Sequence, residues 1–187
     1  RDRSPSRGLG DVYKRQIRNY PGVEYVITAN GGAVYSVREG KRVYQCLLEK
    51  ESVEAAIAVR KRENMVLEVV IDGVPYAEEA YVKDPIQYLA TEYGAKYIKA
   101  TRKPVKDICR FAQKHAEELD SISFVCRYED KERLYTSLDK EIPNIYVTSS
   151  VPNLMEVGHI DAGKGKTLLW LLKKLEISTE EAMAFGD

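Results

Sequence analysis

The residues best suited to chemistry lie in three short polar segments, each next to an apolar run. The segment 30–32 (Asn-Gly-Gly) follows a β-branched run at 23–29, and the dipeptide 186–187 (Gly-Asp) follows an apolar run at 182–185. Open α/β sheets bind ligands in the crevice beyond the carboxyl ends of their strands. We therefore expect the polar side chains of these two segments to border one such crevice.

The third segment, 161–167 (Asp-Ala-Gly-Lys-Gly-Lys-Thr), leads into an apolar run that predicts a helix at 164–175. A helix with so many apolar residues must be buried, so its N-terminal end is fixed against the core. The full positive charge of Lys164 adds to the partial positive charge of that helix end. Together the two charges favour the binding of a phosphate group.

A P-loop is the rival interpretation of this third segment. The pattern G-x-x-x-x-G-K-[ST] places its hydroxyl residue at Gly165 in one register and its first glycine at Ile160 in the other. The first register lacks the hydroxyl that binds Mg²⁺, and the second lacks the tight turn. The sequence therefore disfavours a P-loop nucleotide hydrolase.

Other reactive residue types give weaker signals. His159 ends a predicted strand and His115 lies on the polar side of a predicted helix, and we interpret both as ordinary residues rather than metal ligands. Ser149 and Ser150 lack the Gly-x-Ser-x-Gly elbow of a serine hydrolase. The three cysteines are far apart in the sequence, which is typical of reduced thiols and not of a zinc site.

Alternating strands and helices position these segments and place the chain in the α/β class. The dipeptide Asp72-Gly73 suits a type I′ turn between strands at 65–71 and 74–77. Further strands are predicted at 23–29, 121–128, 144–149, 153–160 and 182–185, and helices at 51–62, 84–93, 105–119, 129–140 and 164–175. The strand–helix–strand order after residue 153 predicts a right-handed crossover in a parallel sheet. We expect 23–29, 153–160 and 182–185 to share one layer.

Composition excludes several classes of protein. The 187 residues have a formal net charge of zero, with 44% hydrophobic and 31% charged residues, unlike a disordered chain or a uniformly basic nucleic-acid binder. We expect a cytoplasmic protein that binds neither nucleic acid nor membrane. The first 18 residues hold six basic side chains against two acidic ones. We interpret residues 1–16 as a non-native or disordered tail, and a basic nucleic-acid arm is the alternative.

Three runs, in this order along the chain, resemble the haloacid dehalogenase-like superfamily and in particular its Cof-type phosphatases. They are 27–33 (ITANGGA), 163–169 (GKGKTLL) and 180–187 (EEAMAFGD). The resemblance implies a partial Rossmannoid core with a parallel sheet and a large inserted α/β cap. It also implies that 17–45 and 151–187 form the two parts of the core and that 46–150 forms the cap.

The resemblance assigns roles to single residues as well. Lys164 matches the family's motif lysine and is expected to be catalytic, and Asp187 matches the first acidic residue of its Mg²⁺ motif. Asn30 and Gly31 match the segment that borders the active site and are expected to bind the substrate. The implied cofactor is Mg²⁺, and the implied partner is a small phosphorylated metabolite.

The sequence departs from the family at the nucleophile. The family uses two aspartates in an Asp-x-Asp motif, and the chain contains no such pattern. We therefore expect an inactive internal fragment of a Mg²⁺-dependent phosphatase that acts on a small phosphomonoester through an aspartyl-phosphate. The alternative is a noncatalytic α/β module that binds a phosphorylated metabolite or a protein partner.

Overall fold

The computed structural model describes residues 21–185, which form two β-sheets with helices packed against them. The strands are β1 (Tyr25–Thr28), β2 (Ala33–Ser36), β3 (Lys41–Gln45), β4 (Val66–Ile71), β5 (Val74–Glu78), β6 (Lys103–Val105), β7 (Leu119–Val125), β8 (Ile145–Thr148) and β9 (Leu154–His159). The α-helices are α1 (Lys50–Glu63), α2 (Glu79–Lys83), α3 (Glu92–Thr101), α4 (Ile108–Lys114), α5 (Lys131–Glu141) and α6 (Lys164–Lys174). Within 21–185, no helix is both long enough and apolar enough to cross a membrane.

The two sheets differ in size and in strand order. The first sheet is an antiparallel meander of β1, β2 and β3, and the six-stranded sheet has the order β6-β5-β4-β7-β9-β8. In the six-stranded sheet, only β5 and β6 are parallel. Asp72 and Gly73 join β4 to β5 with φ values of 48° and 70°, as a type I′ turn requires. The predicted hairpin and the predicted α/β class are confirmed.

One face of the six-stranded sheet is apolar and is covered by α1, α4 and α5. Successive residues of a strand point to opposite faces. Leu67 and Phe124 are fully buried beneath the helices, whereas their neighbours Glu68 and Ser123 line a cavity on the other face. Burying a large apolar side chain contributes about 1.5–3 kcal/mol, so the many buried side chains of the helical face stabilise this sheet strongly.

The structure corrects the predicted layer of strands. The run 153–160 forms β9, which pairs with β7 and β8 in the six-stranded sheet and not with β1. Residues 182–185 form no strand, and Phe185 is 89% exposed. A parallel strand needs neighbours that satisfy its backbone groups, and no described strand pairs with 182–185. The predicted layer and its crossover are therefore wrong for residues 21–185, while the core and cap boundaries stay a prediction.

The predicted helix at 84–93 is displaced along the chain. Pro85–Tyr88 forms a turn of 3₁₀ helix, and Leu89 ends it with a φ of 71°. The next helix, α3, starts after Thr91, whose Oγ1 accepts a hydrogen bond from the Gly94 N–H at 3.1 Å. Gly94 therefore lies inside a capped helix and does not end one, because the threonine cap fixes where that helix begins.

A buried ionic cluster joins the two sheets. Asp120 on β7 is fully buried and accepts a hydrogen bond from the Gly73 N–H at 2.8 Å. Its Oδ1 lies 2.9 Å from Nη1 of Arg42 on β3. Arg42 also donates to Asp72 Oδ1 at 2.9 Å and to the hydroxyl of Tyr35 on β2 at 3.0 Å. Since Tyr35 and Arg42 belong to the first sheet and the two aspartates to the six-stranded one, the cluster fixes one sheet against the other.

We expect Asp120→Ala to lower the free energy of unfolding by about 3–5 kcal/mol, because Arg42 loses its buried partner and the Gly73 N–H loses its acceptor. Urea unfolding followed by circular dichroism measures the change. Asp139→Ala, on the exposed surface of α5, is the matched control and should stay within about 0.5 kcal/mol of the unsubstituted chain. Equal unfolding midpoints for the two variants would contradict the structural role of the cluster.

Candidate functional site

The loop after β1 and the start of α6 meet at what we call the glycine joint, formed by Gly31, Gly163 and Thr167. Gly31 has a φ of 105°, and a Cβ atom there would lie 2.4 Å from the carbonyl carbon of Gly163. Only glycine avoids both the strain and the overlap. The Thr167 hydroxyl donates to the Gly31 carbonyl at 2.6 Å, and Thr167 is 1% exposed. The joint therefore holds Gly31 against the residue that precedes Lys164.

Asn30 occupies the tightest part of the same loop. Its φ and ψ are 52° and 27°, in the left-handed region, and Ala29 before it also has a positive φ, of 48°. Asparagine tolerates this region better than most residues because its short polar side chain can bond locally. The Asn30 carbonyl accepts a hydrogen bond from the hydroxyl of Tyr146 on β8 at 3.4 Å. Both sheets therefore position this residue.

Two lysines at the start of α6 are in different situations. Lys164 is the first residue of the helix and is exposed, and the N-cap residue Gly163 makes no side-chain cap. The first-turn N–H groups of a helix need acceptors from outside the helix, and the partial positive charge there favours an anion. Lys166, by contrast, donates through Nζ to the Ile160 carbonyl at 3.1 Å. Lys164 is thus the better placed of the two to meet a phosphate.

A cavity of about 340 Å³ lies between the loop and the polar face of the six-stranded sheet. Asn30 lines it on the loop side. On the sheet side it is lined by Glu68, Ser123 and Glu156, which form a row because the register pairs Glu68 with Ser123 and Ser123 with Glu156. The volume lies within the range of small-molecule sites.

An ion pair between Arg102 and Glu68 forms part of the cavity wall. Arg102 Nη2 donates to Glu68 Oε2 at 2.8 Å and Nε donates to Oε1 at 3.1 Å, while Glu68 is 3% exposed. The guanidinium also lies 4.9 Å from the centre of the Tyr97 ring. Burial raises the pKa of the Tyr81 phenol, and the nearby negative charge of Glu68 raises it further. The phenol therefore stays protonated at neutral pH. The paired charges leave this part of the wall polar but close to neutral.

The predicted site residues fall into two groups. Asn30, Gly31 and Lys164 are brought together by the glycine joint, and their roles in catalysis stay predictions. Asp187, the predicted metal ligand, lies outside the described residues, as does the predicted tail at 1–16. Between residues 21 and 185, no group of three or more His, Cys, Asp or Glu side chains could hold a metal ion.

The sheet side of the cavity wall was not predicted from the sequence, although the sequence contains a signal for part of it. Glu68 interrupts the apolar run at 65–71, and Ser121 and Ser123 alternate with apolar residues in β7. Such alternation indicates a strand with one face outside the core. Arg102 gave no comparable signal, because its partner Glu68 lies 34 residues earlier in the chain.

We expect Gly31→Ala to lower the free energy of unfolding by about 3 kcal/mol or more, since strain at positive φ and overlap with Gly163 act together. Gly40→Ala is the matched control, because Gly40 also has a positive φ, of 65°, but nothing lies within 4 Å of its Cβ position. Gly40→Ala should lower the free energy of unfolding by only about 1 kcal/mol. Urea midpoints measure both, and similar losses would show that the contact with Gly163 adds nothing to the backbone strain.

Solved structures of haloacid dehalogenase-like hydrolases resemble this fold. A haloacid dehalogenase-like hydrolase from B. subtilis has a TM-score of 0.70 at 18% identity, over 93% of this chain and 67% of that chain. A haloacid dehalogenase-like hydrolase from Bacteroides thetaiotaomicron has a TM-score of 0.72 at 18% identity, with coverages of 92% and 61%. A sugar phosphatase of haloacid dehalogenase subclass IIB has a TM-score of 0.65 at 15% identity, with coverages of 95% and 62%. At these identities the likeness concerns the fold alone.

The sequence comparisons give the family. No curated protein matches the chain by sequence. The chain covers between 61% and 67% of the length of these three structures. A family model of haloacid dehalogenase-like hydrolases, however, matches residues 7–187. Because that match covers nearly the whole chain, this protein belongs to the haloacid dehalogenase-like hydrolases.

Proposed function

We propose that this chain is part of a Mg²⁺-dependent phosphatase that hydrolyses a small phosphomonoester through an aspartyl-phosphate. The observation that carries the proposal is the glycine joint, which puts the start of α6 beside the loop that lines the cavity. With the phosphoryl group of a substrate held at the helix end, the organic part of that substrate would occupy the neighbouring cavity. Membership of a hydrolase family supports the same reaction class.

Lys164 is proposed to hold the phosphoryl oxygens. A phosphomonoester is an anion, and a carboxylate nucleophile that approaches it is another, so a fixed positive charge lowers the repulsion between them. The first-turn N–H groups of α6 add donors that do not titrate. Asn30, which lines the cavity, and the adjacent Gly31 are proposed to lie on the substrate side of this charge.

The described residues do not assemble a site for the metal ion. Mg²⁺ takes oxygen ligands, mostly carboxylates, phosphates and waters. Within residues 21–185, no group of three or more His, Cys, Asp or Glu side chains could supply the ligands of such an ion. Asp187 is proposed as a ligand on the family resemblance alone.

The cavity is proposed to hold the organic part of the substrate. Its volume of about 340 Å³ suits a single sugar ring or a molecule of similar size. Ser123 and Glu156 offer oxygens that can bond hydroxyl groups, whereas both oxygens of Glu68 already accept from Arg102. Arg102 is already engaged by Glu68, so this wall lacks a ready partner for a second phosphate. A sugar phosphate therefore fits the proposal better than a bisphosphate.

The purified chain is expected to show no phosphatase activity, because its 187 residues contain no Asp-x-Asp to supply the covalent nucleophile. Hydrolysis of an aryl phosphate with Mg²⁺ and with a chelator tests this, alongside Lys164→Ala. Turnover that needs Mg²⁺ and is lost in the variant would show that the nucleophile lies within this chain.

The product of the complete gene decides between the two function classes. A phosphatase predicts Mg²⁺-dependent turnover of the aryl phosphate by that longer protein, whereas a noncatalytic module predicts binding of phosphate without turnover. Absence of turnover under conditions where phosphate binding is measured would overturn the proposed function.

Lys164→Ala is expected to weaken the affinity of the chain for inorganic phosphate by about 3- to 10-fold, the loss of one charge at a partly exposed helix end. Lys166→Ala is the matched control, since it removes an equal charge two residues away whose ammonium already bonds the Ile160 carbonyl. Nuclear magnetic resonance titration with phosphate at low ionic strength measures both. An equal effect of the two substitutions would point to general attraction by positive charge and against a site at Lys164.

A further inference from the structure

The chain passes between its two sheets at two places within 21–185, and reactive side chains meet there. Residues 46–49 lead from β3 to α1, and residues 160–163 lead from β9 to α6. Cys46 on the first passage and His159, the last residue of β9, lie close together, with Cys46 Sγ 3.3 Å from His159 Nδ1. Glu49 lies on the other side of the same imidazole, with Oε1 3.4 Å from Nε2. The Cys46 thiol, the His159 imidazole and the Glu49 carboxylate thus form a chain of successive contacts.

The hydrogen bonds fix the tautomer of His159. The Asp161 backbone N–H donates to Nδ1 at 3.1 Å, so Nδ1 carries no proton and is an acceptor. The proton is therefore on Nε2, which donates to Glu49. Glu49 is held in place in turn, because Asn144 Nδ2 donates to its Oε2 at 2.7 Å. The single Nδ1 lone pair is therefore shared by the Asp161 N–H and the Cys46 thiol, whose Sγ lies 3.3 Å away, so Nδ1 is the atom that can take the thiol proton.

The surroundings decide the resting state of the thiol. Burial raises the pKa of Cys46 and the Asp161 carboxylate adds to the rise, whereas the Tyr44 hydroxyl and the Lys166 ammonium lower it. At neutral pH the thiol is therefore protonated at rest, and a base must remove its proton before it can react. Cys46 is partly exposed, while Cys109 and Cys126 are 6% and 4% exposed. Only Cys46 combines access with a base.

We propose that Cys46 is a thiol modification site, with His159 as its general base, that reacts with low-molecular-weight disulfides such as glutathione disulfide. The Cys46 proton passes to His159 Nδ1, which then no longer accepts the hydrogen bond from the Asp161 N–H, and the thiolate attacks one sulfur of the disulfide. A new S–S bond forms at Cys46 as the old one breaks, and the other half leaves as a thiolate, so no further oxidant is needed. Glu49, and the Asp161 carboxylate 4.0 Å from Nδ1, stabilise the imidazolium. The adduct would sit where the chain passes between the sheets.

The test is the rate at which glutathione disulfide modifies each cysteine at neutral pH, measured by mass spectrometry of peptides. The rate of each cysteine in the folded chain is divided by the rate of the same cysteine in the urea-unfolded chain. Cys46 should react fastest of the three. His159→Gln, which can bond the thiol but cannot take its proton, should slow Cys46 by about 10-fold or more. His115→Gln is the matched control, because His115 pairs with Glu118 on another part of the chain, and it should leave the rate unchanged.

Equal rates at Cys46 in the unsubstituted chain and in His159→Gln would overturn the proposal, since access alone would then explain the reactivity. Circular dichroism checks that each variant folds. If His159→Gln does not fold, Glu49→Gln carries the test, because its amide oxygen can still accept from His159 Nε2 while the charge that stabilises the imidazolium is removed; the hydrogen bond from Asn144 is lost. A slower reaction at Cys46 in that variant, by about 3-fold or more, would support the proposal, and an unchanged rate would overturn it.

Discussion

The backbone contact between Gly31 and Gly163 is the constraint on which the rest of the site depends. Two backbones can approach this closely only where neither residue carries a Cβ in the way, and the φ of 105° at Gly31 adds a second requirement for glycine. The buried Thr167 hydroxyl closes the contact by bonding the Gly31 carbonyl, whose desolvation would otherwise be unfavourable. The position of Lys164 relative to Asn30 follows from this contact and not from any direct bond between the two side chains.

The same contact explains why α6 belongs with the first sheet although most of the chain separates them. The Trp170 ring of α6 lies 4.5 Å from the Tyr44 ring of β3, so the helix is attached at its side as well as at its end. Between these attachments the chain builds the entire six-stranded sheet and its helices. The ionic cluster of Arg42 with Asp120 then restricts how that sheet sits on the first one. Two short segments, 46–49 and 160–163, connect the parts of the chain on either side of the boundary between the sheets, and Cys46 contacts His159 there.

Local signals in the sequence predicted local structure, and non-local pairing decided the rest. Asp72-Gly73 predicted its hairpin because the turn depends on two residues. The run 153–160 was correctly predicted as a strand but placed in the wrong sheet, because its apolar residues suit either sheet and only the pairing with β7 decides between them. Lys164 and Asn30 could be predicted as site residues because each belongs to a short sequence motif, and their roles stay predictions. Arg102 and Glu68 carry none and are brought together only by the fold.

The polar face of the six-stranded sheet shows how a buried charge can serve a cavity without stabilising the fold. A buried ion pair offsets the desolvation of its own charges and adds little net stability compared with an apolar pair of the same size. Arg102 and Glu68 therefore matter less for folding than Leu67 and Phe124 on the opposite face. Their effect is electrostatic, because they keep this part of the wall polar while leaving it close to neutral. Lys164 at the start of α6 does not line the cavity, so the proposed function places the phosphate at the helix end and the organic part of the substrate in a cavity whose Arg102 charge is already paired.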